Sequence, residues 1–228
     1  MSLTSGRGPL STNPAGRFTA PVPPGLGYVE PFPRRVRGVL RGRTVVDSEH
    51  VLLVHRPGGA PSWAFPAAAV AGVDAVADPD APGHVQVAWD AVEEWYEEEE
   101  RVVMHPRNPY HRVECVRTSR RLHVEVSGTV LVDTTDTLGV YETALEPRLY
   151  VDRAHVRDEL LVPSETATFC RYKGHASFWH AQIGGTRVED VAWSYDGPYA
   201  ESAALAGMLC FDPSRATVTT DLPTPAVP

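Results

Sequence analysis

One stretch, TFCRYKGHASFW at 168–179, holds more reactive side chains than any other part of the 228-residue chain. Cys170 stands three residues before Lys173 and five before His175. A cation beside a thiol favours the thiolate, the form that attacks carbonyls or ligates metal. Cys170 is therefore a candidate nucleophile, with Lys173 or His175 as its proton partner. The same residues admit a plainer role, with Cys170 a small buried apolar group and Lys173 a donor to loop carbonyls. Lys173 stands out because it is the single lysine among 21 basic residues, in a chain that also has one isoleucine, Ile183, and two asparagines, Asn13 and Asn108. In such a background a surviving lysine marks a place where arginine does not serve.

Cys170, His175 and His180 have spacings that superficially suit zinc. If 175–183 is a strand, its side chains alternate, so His175, Ser177 and Trp179 share one face while Phe178 and His180 share the other. The two histidines then point apart. No Cys-x-x-Cys pair is present either, so no metal and no cofactor is expected. The aromatic residues on the neighbouring predicted strands suggest a different use. Tyr172, Ser177, Trp179, Trp193 and Tyr195, with Glu142 or Asp133 as the acidic partner, could line a cavity for a flat or apolar small molecule. Core packing is the competing role, most of all for Trp193, because Trp89 repeats it in a part of the chain that lacks the motif.

The elements that must position these residues are read as strands. Glycine (18) and proline (21) together exceed the usual share of about 12%, which signals many turns and few long helices. An internal repeat follows. RRVRGVLRGRTVVDSEHVLLV at 34–54 and RRLHVEVSGTVLVDTTDTLGV at 120–140 coincide at both arginines, at Gly42/Gly128, at Val46-Asp47/Val132-Asp133, at Leu52/Leu138 and at Val54/Val140, an offset of 86. Each copy reads as strand, tight turn, strand, polar turn, strand: a β-meander. Val87-Ala88-Trp89 then matches Val191-Ala192-Trp193 at an offset of 104, which places 18 extra residues, among them the reactive stretch, in the second copy. A short helical piece is expected after each, at 91–100 and 198–206, followed by a short apolar strand. The expected organisation is a Pro/Gly-rich flexible arm at 1–27, a first, trimmed domain at 28–108, a second domain with the motif at 109–215, and a flexible tail at 216–228.

Composition narrows the partners. Net charge −8 argues against a phosphate-tracking surface and hence against nucleic acid. No apolar stretch approaches the roughly 18 residues of a membrane span, and no signal peptide is read, so a cytoplasmic location with no membrane partner is expected. Three widely spaced cysteines fit free thiols rather than a disulfide framework. The acidic cluster at Glu93, Glu94 and 97–100, interleaved with Trp95 and Tyr96, reads as a solvated helix face, or as a docking surface for a basic partner, within reach of Arg34, Arg35, Arg120 or Arg121.

The stretch at 168–179 resembles the signature of domain of unknown function 427, in which Thr-x-Cys-Pro is followed by an aromatic residue, Lys-Gly and a further aromatic. The resemblance extends to Val132–Thr134, Glu142, Val191–Tyr195 and Ala206–Phe211, and 88–110 is similar to the junction of tandem members. Arg171 replaces the usual proline, which frees φ and adds an N–H, and Phe178 replaces a common tyrosine. The resemblance implies a mainly β fold, here two tandem tent-like domains without zinc knuckles, each a meander plus a short helix. It implies no known reaction, and the sequence offers no Gly-rich phosphate loop to support a nucleotidyltransferase label. The function expected is binding of a small-molecule ligand in a cavity of the second domain, with Cys170 and Lys173 the candidate groups for an enzymatic use of it and a non-catalytic sensing or interaction module as the alternative. The ligand and the oligomeric state are left open.

Overall fold

A computed structural model describes residues 3–223. The chain divides into two compact units, one ending at His111 and the next beginning at Arg112. The first contains β1 (Tyr28–Phe32), β2 (Val36–Leu40), β3 (Arg43–Ser48), β4 (Val51–His55), β5 (Ser62–Pro66), β6 (Ala75–Ala77), β7 (His84–Val87), β8 (Glu94–Glu97) and β9 (Glu100–Val102). The second contains β10 (Val113–Thr118), β11 (Leu122–Val126), β12 (Thr129–Thr134), β13 (Thr137–Glu142), β14 (Arg148–Tyr150), β15 (Leu161–Cys170), β16 (Gly174–Ile183), β17 (Thr186–Ser194), β18 (Leu209–Phe211) and β19 (Thr217–Thr220). Helical structure among the described residues is limited to short 3-10 pieces, of which Ala200–Leu205 is the longest. The fold is mainly β, and the named strands pair antiparallel throughout.

Local sequence dictates the meanders. Arg41 and Gly42 between β2 and β3 both take positive φ (52° and 70°), as do Ser127 and Gly128 between β11 and β12 (47° and 76°). Two consecutive left-handed residues make the hairpin turn whose twist matches its strands, and glycine enters that region without strain. In the first unit the sheets β1-β4-β5-β7-β6 and β3-β2-β8-β9 bury Val36, Val46, Leu53, Trp63, Phe65 and Trp95. In the second the sheets are β10-β13-β14, β12-β11-β19 and β15-β16-β17-β18, with separate apolar clusters around Leu122, Val132 and Val151 and around Val140, Tyr150 and Leu205.

The offset of 86 holds strand by strand. Glu30 faces Leu53 and Val116 faces Gly139; Leu52 faces Ala64 and Leu138 faces Tyr150. The bulge at Gly38/Val39 recurs at Val124/Glu125, and the bridge Val46–Val70 recurs as Val132–Val156. Beyond this point the expected alignment fails. Val87 ends β7, which pairs with β5 and β6, whereas Val191, Ala192 and Trp193 lie inside β17, which pairs with β16 and β18. The counterpart of the Phe65–Val85 pairing is the bridge Val151–Leu209, and that of Gly38–Trp95 is Val124–Val218. So β7 corresponds to β18, β8 to β19 and, by the register of its pairing with β7, β6 to β17, while β15 and β16 have no equivalent in the first unit. The shared Val-Ala-Trp string was misleading because three residues cannot fix a register that backbone pairing decides.

Larger side chains occupy the smaller unit. Trp63, Phe65 and Trp95 stand where the second unit has Leu149, Val151 and Val218, and they pack with Trp89 at ring-centroid separations of 5.4 to 6.3 Å.

Two further expectations need correction. Residues 91–100 are not a helix but the hairpin β8–β9, with Glu98 in the turn at φ 52°. Trp95 and Glu97 face inward and Glu94 and Tyr96 less so, a period of two rather than 3.6. The acidic run is matched by arginines: Arg34 to Glu97 at 2.7 Å and Arg37 to Glu99 at 2.9 Å. The presumed tail also starts too early, because Thr217–Thr220 forms β19 against β11; 224–228 lie outside the described residues. In the arm, Thr4 is buried, and its carbonyl accepts from Gly58 N at 2.7 Å.

Candidate functional site

Lys173 occupies the tight turn joining β15 to β16. Its amide donates to the Cys170 carbonyl at 3.3 Å, and the Lys173 carbonyl accepts from Tyr199 N at 3.3 Å. The next residue, Gly174, has φ 98°, and a Cβ there would come within 3.3 Å of the Gly197 carbonyl oxygen, so only glycine fits. This turn folds Lys173 inward, which leaves it 8% exposed. Its ammonium donates to the carboxylate of Glu142, at the end of β13, in an ion pair whose side chains are both 10% exposed. Burial removes most of the hydration of both ions, and the contact supplies what water would have given.

The pair opens on a cavity of about 460 Å³ whose wall includes Arg148, Tyr150, Phe178, Trp193 and Tyr195. Trp193 Nε1 donates to the Tyr150 hydroxyl at 3.0 Å, and the guanidinium of Arg148 lies 5.3 Å from the Trp193 ring centroid. The Lys173 ammonium is 5.6 Å from the centroid of Tyr195. Burial holds the Tyr195 phenol well above its ordinary value, and the same cause acts on Tyr150, so both remain protonated donors. Burial also raises Cys115, against a weaker pull from Lys173, and pushes the Cys210 thiol up to about 12.

Four of the residues singled out from sequence, Lys173, Glu142, Trp193 and Tyr195, come together at this cavity. The others do not. Cys170 and Tyr172 pack into the apolar cluster behind the wall without lining it. His175 is exposed, its ring 4.9 Å from that of Phe169, and exposed Ser177 contacts Asp196 at 3.4 Å. Trp179 joins the other apolar cluster, with the Arg153 guanidinium 3.9 Å from its ring centroid and its indole N–H donating to Ser194. Alternation accounts for this, since Ala176 and Phe178 face the cavity and Ser177 and Trp179 face away. Asp133 is engaged with Arg121 at 2.8 Å. Arg148 and Tyr150 went unnoticed in the sequence, yet they stand opposite Ser62 and Ala64 at the offset of 86, and comparing the copies for charge and size would have flagged them. No group of three or more His, Cys, Asp or Glu side chains that could hold a metal ion occurs among the described residues.

Fold and site together define a mainly antiparallel β protein with a buried Lys–Glu pair beside an aromatic-walled cavity. Residues 114–222, within the second unit, match the family model described as Domain of unknown function (DUF427). No curated protein matches the chain.

Proposed function

We propose that the second unit binds a small organic molecule in the cavity beside Lys173, the aromatic wall taking its flat body and the Lys173–Glu142 pair its polar end. The observation that carries this reading is a buried ion pair at the edge of a cavity walled by Trp193, Tyr195 and Phe178. A few polar groups converging on an apolar concavity are the usual make-up of a ligand site. Binding or sensing is favoured over nucleophilic catalysis because Cys170 lies behind the wall rather than on it. The first unit is read as a trimmed copy of the same domain, on the support of the shared strand registers. At the place of Glu142 it carries Arg56, which is tied to Asp78 and Asp80. Three free cysteines and a net charge of −8 support a reducing, cytoplasmic setting without nucleic acid. The test is native mass spectrometry of the full chain after incubation with a metabolite extract, with Lys173→Met and Trp193→Ala alongside. Wild type should retain a discrete added mass that both variants lose. Retention of nothing, or equal retention by all three proteins, overturns the reading.

A further inference from the structure

Counting what the cavity wall offers to a ligand gives a lopsided result. Each of its carboxylates has a partner: Glu142 holds Lys173, Asp212 accepts from Ser214 N at 2.8 Å, and Glu146 has a partner of its own. Several of its donors have capacity to spare. The Tyr195 hydroxyl makes no hydrogen bond among the described residues, although the residue is only 6% exposed. The Tyr150 hydroxyl, on a residue 2% exposed, accepts from Trp193 and so keeps its own proton to give. The guanidinium of Arg148 lies 5.3 Å from the Trp193 ring centroid and touches the Cys210 thiol, but it is in no ion pair among the described residues. Lys173 spends one of its three N–H groups on Glu142.

Polar groups this deeply buried are ordinarily satisfied, and a phenol that finds no partner in the wall can meet that need with an acceptor brought by a ligand. A guanidinium with no carboxylate partner of its own offers a two-pronged donor edge, the geometry that suits a carboxylate. The wall beside it offers the faces of Phe178 and Trp193. From these donors and faces we infer that the cavity takes a planar aromatic carboxylate, its ring against Phe178 and Trp193 and its oxygens on the Arg148 guanidinium and the Tyr150 and Tyr195 hydroxyls. This rests on the ligand-binding reading given above and adds the class of ligand.

The experiment uses the full chain and a panel of one- and two-ring aromatic carboxylates, benzoate and 2-naphthoate among them, each paired with its primary amide. Affinities are measured by calorimetry or ligand-observed NMR. The best carboxylate should bind at least about tenfold more tightly than its amide, the ratio expected where a charge-assisted pair is lost. Arg148→Met should bring the carboxylate down to the level of the amide while leaving the amide unchanged, and Tyr195→Phe should weaken the carboxylate severalfold. An amide that binds as tightly as its acid overturns the assigned class and leaves the cavity reading standing. A panel in which neither acids nor amides bind overturns both. Thermal melts of the variants check that each is folded, and a charge-retaining second variant, Arg148→Lys, should recover part of the carboxylate preference but not all of it, because its single ammonium lacks the fork.

Discussion

Lys173 and Glu142 are each costly to bury and are compensated by one another, which makes their separate removal asymmetric. Lys173→Met leaves a carboxylate about nine-tenths buried with its ammonium gone, and truncating one partner of a buried pair costs about 3–5 kcal/mol. Replacing both, as Lys173→Met with Glu142→Leu, should restore most of that loss, and urea unfolding of the two variants against wild type measures it. Because Lys173 is the only lysine, amine-directed labelling followed by mass analysis should find it protected in the native protein and modified after unfolding. Labelling at the rate of a free surface amine would contradict the buried pair. Among the thiols, Cys210 is 2% exposed and raised to about 12 by burial, so it should resist iodoacetamide at pH 7.5 until the protein unfolds. The lysine was legible in the sequence because its rarity singled it out. Cys170 was singled out on the same stretch, but nearness along a chain says nothing about which side of a turn a thiol faces.

Elements were read well where turn chemistry and alternation agree, as at Arg41-Gly42 and Ser127-Gly128 with their flanking strands. They were misread where composition masked period. The glutamate run at 97–100 suggested a solvated helix, yet Trp95 and Glu97 share an inward face, and Arg34 and Arg37 supply the neutralising charge from outside the run. Thr217–Thr220 carries one apolar residue in four and becomes a strand only because β11 offers it an edge. Trp95→Ala should therefore cost about 3–5 kcal/mol, as expected for removing a buried indole, whereas a helix-face tryptophan would be nearly neutral. The pairs Arg35–Asp47 and Arg121–Asp133 clip corresponding strands, and the guanidinium hydrogen bonds hold both carboxyls below their ordinary value. A lowered folded value means that the stabilisation is present above the unfolded carboxyl value near 4 and is lost as pH falls through the lower folded one. Both pairs are open to solvent, so D47N with D133N should leave the pH 7 melting temperature almost unchanged and slightly flatten its fall between pH 5 and pH 2.

At the scale of the whole molecule, each unit buries its own apolar clusters, and residues 112–228 expressed alone should give a cooperative urea transition with near-ultraviolet circular dichroism from Trp179 and Trp193. A non-cooperative transition would show that the unit does not stand by itself. The first half of each meander was legible because turn glycines and paired charges recur at one offset. The second half was not, because two strands, β15 and β16, extend the sheet of the second unit and have no counterpart in the first. That difference is balanced by side-chain volume: where the second unit has extra sheet it carries Leu149, Val151 and Val218, and where the first lacks it Trp63, Phe65 and Trp95 fill in. The consequence is that the two cores are not interchangeable: giving the first unit the leucine and valines of the second would open a void, and giving the second the aromatic trio of the first would overfill it, so neither exchange is tolerated without adding or removing sheet.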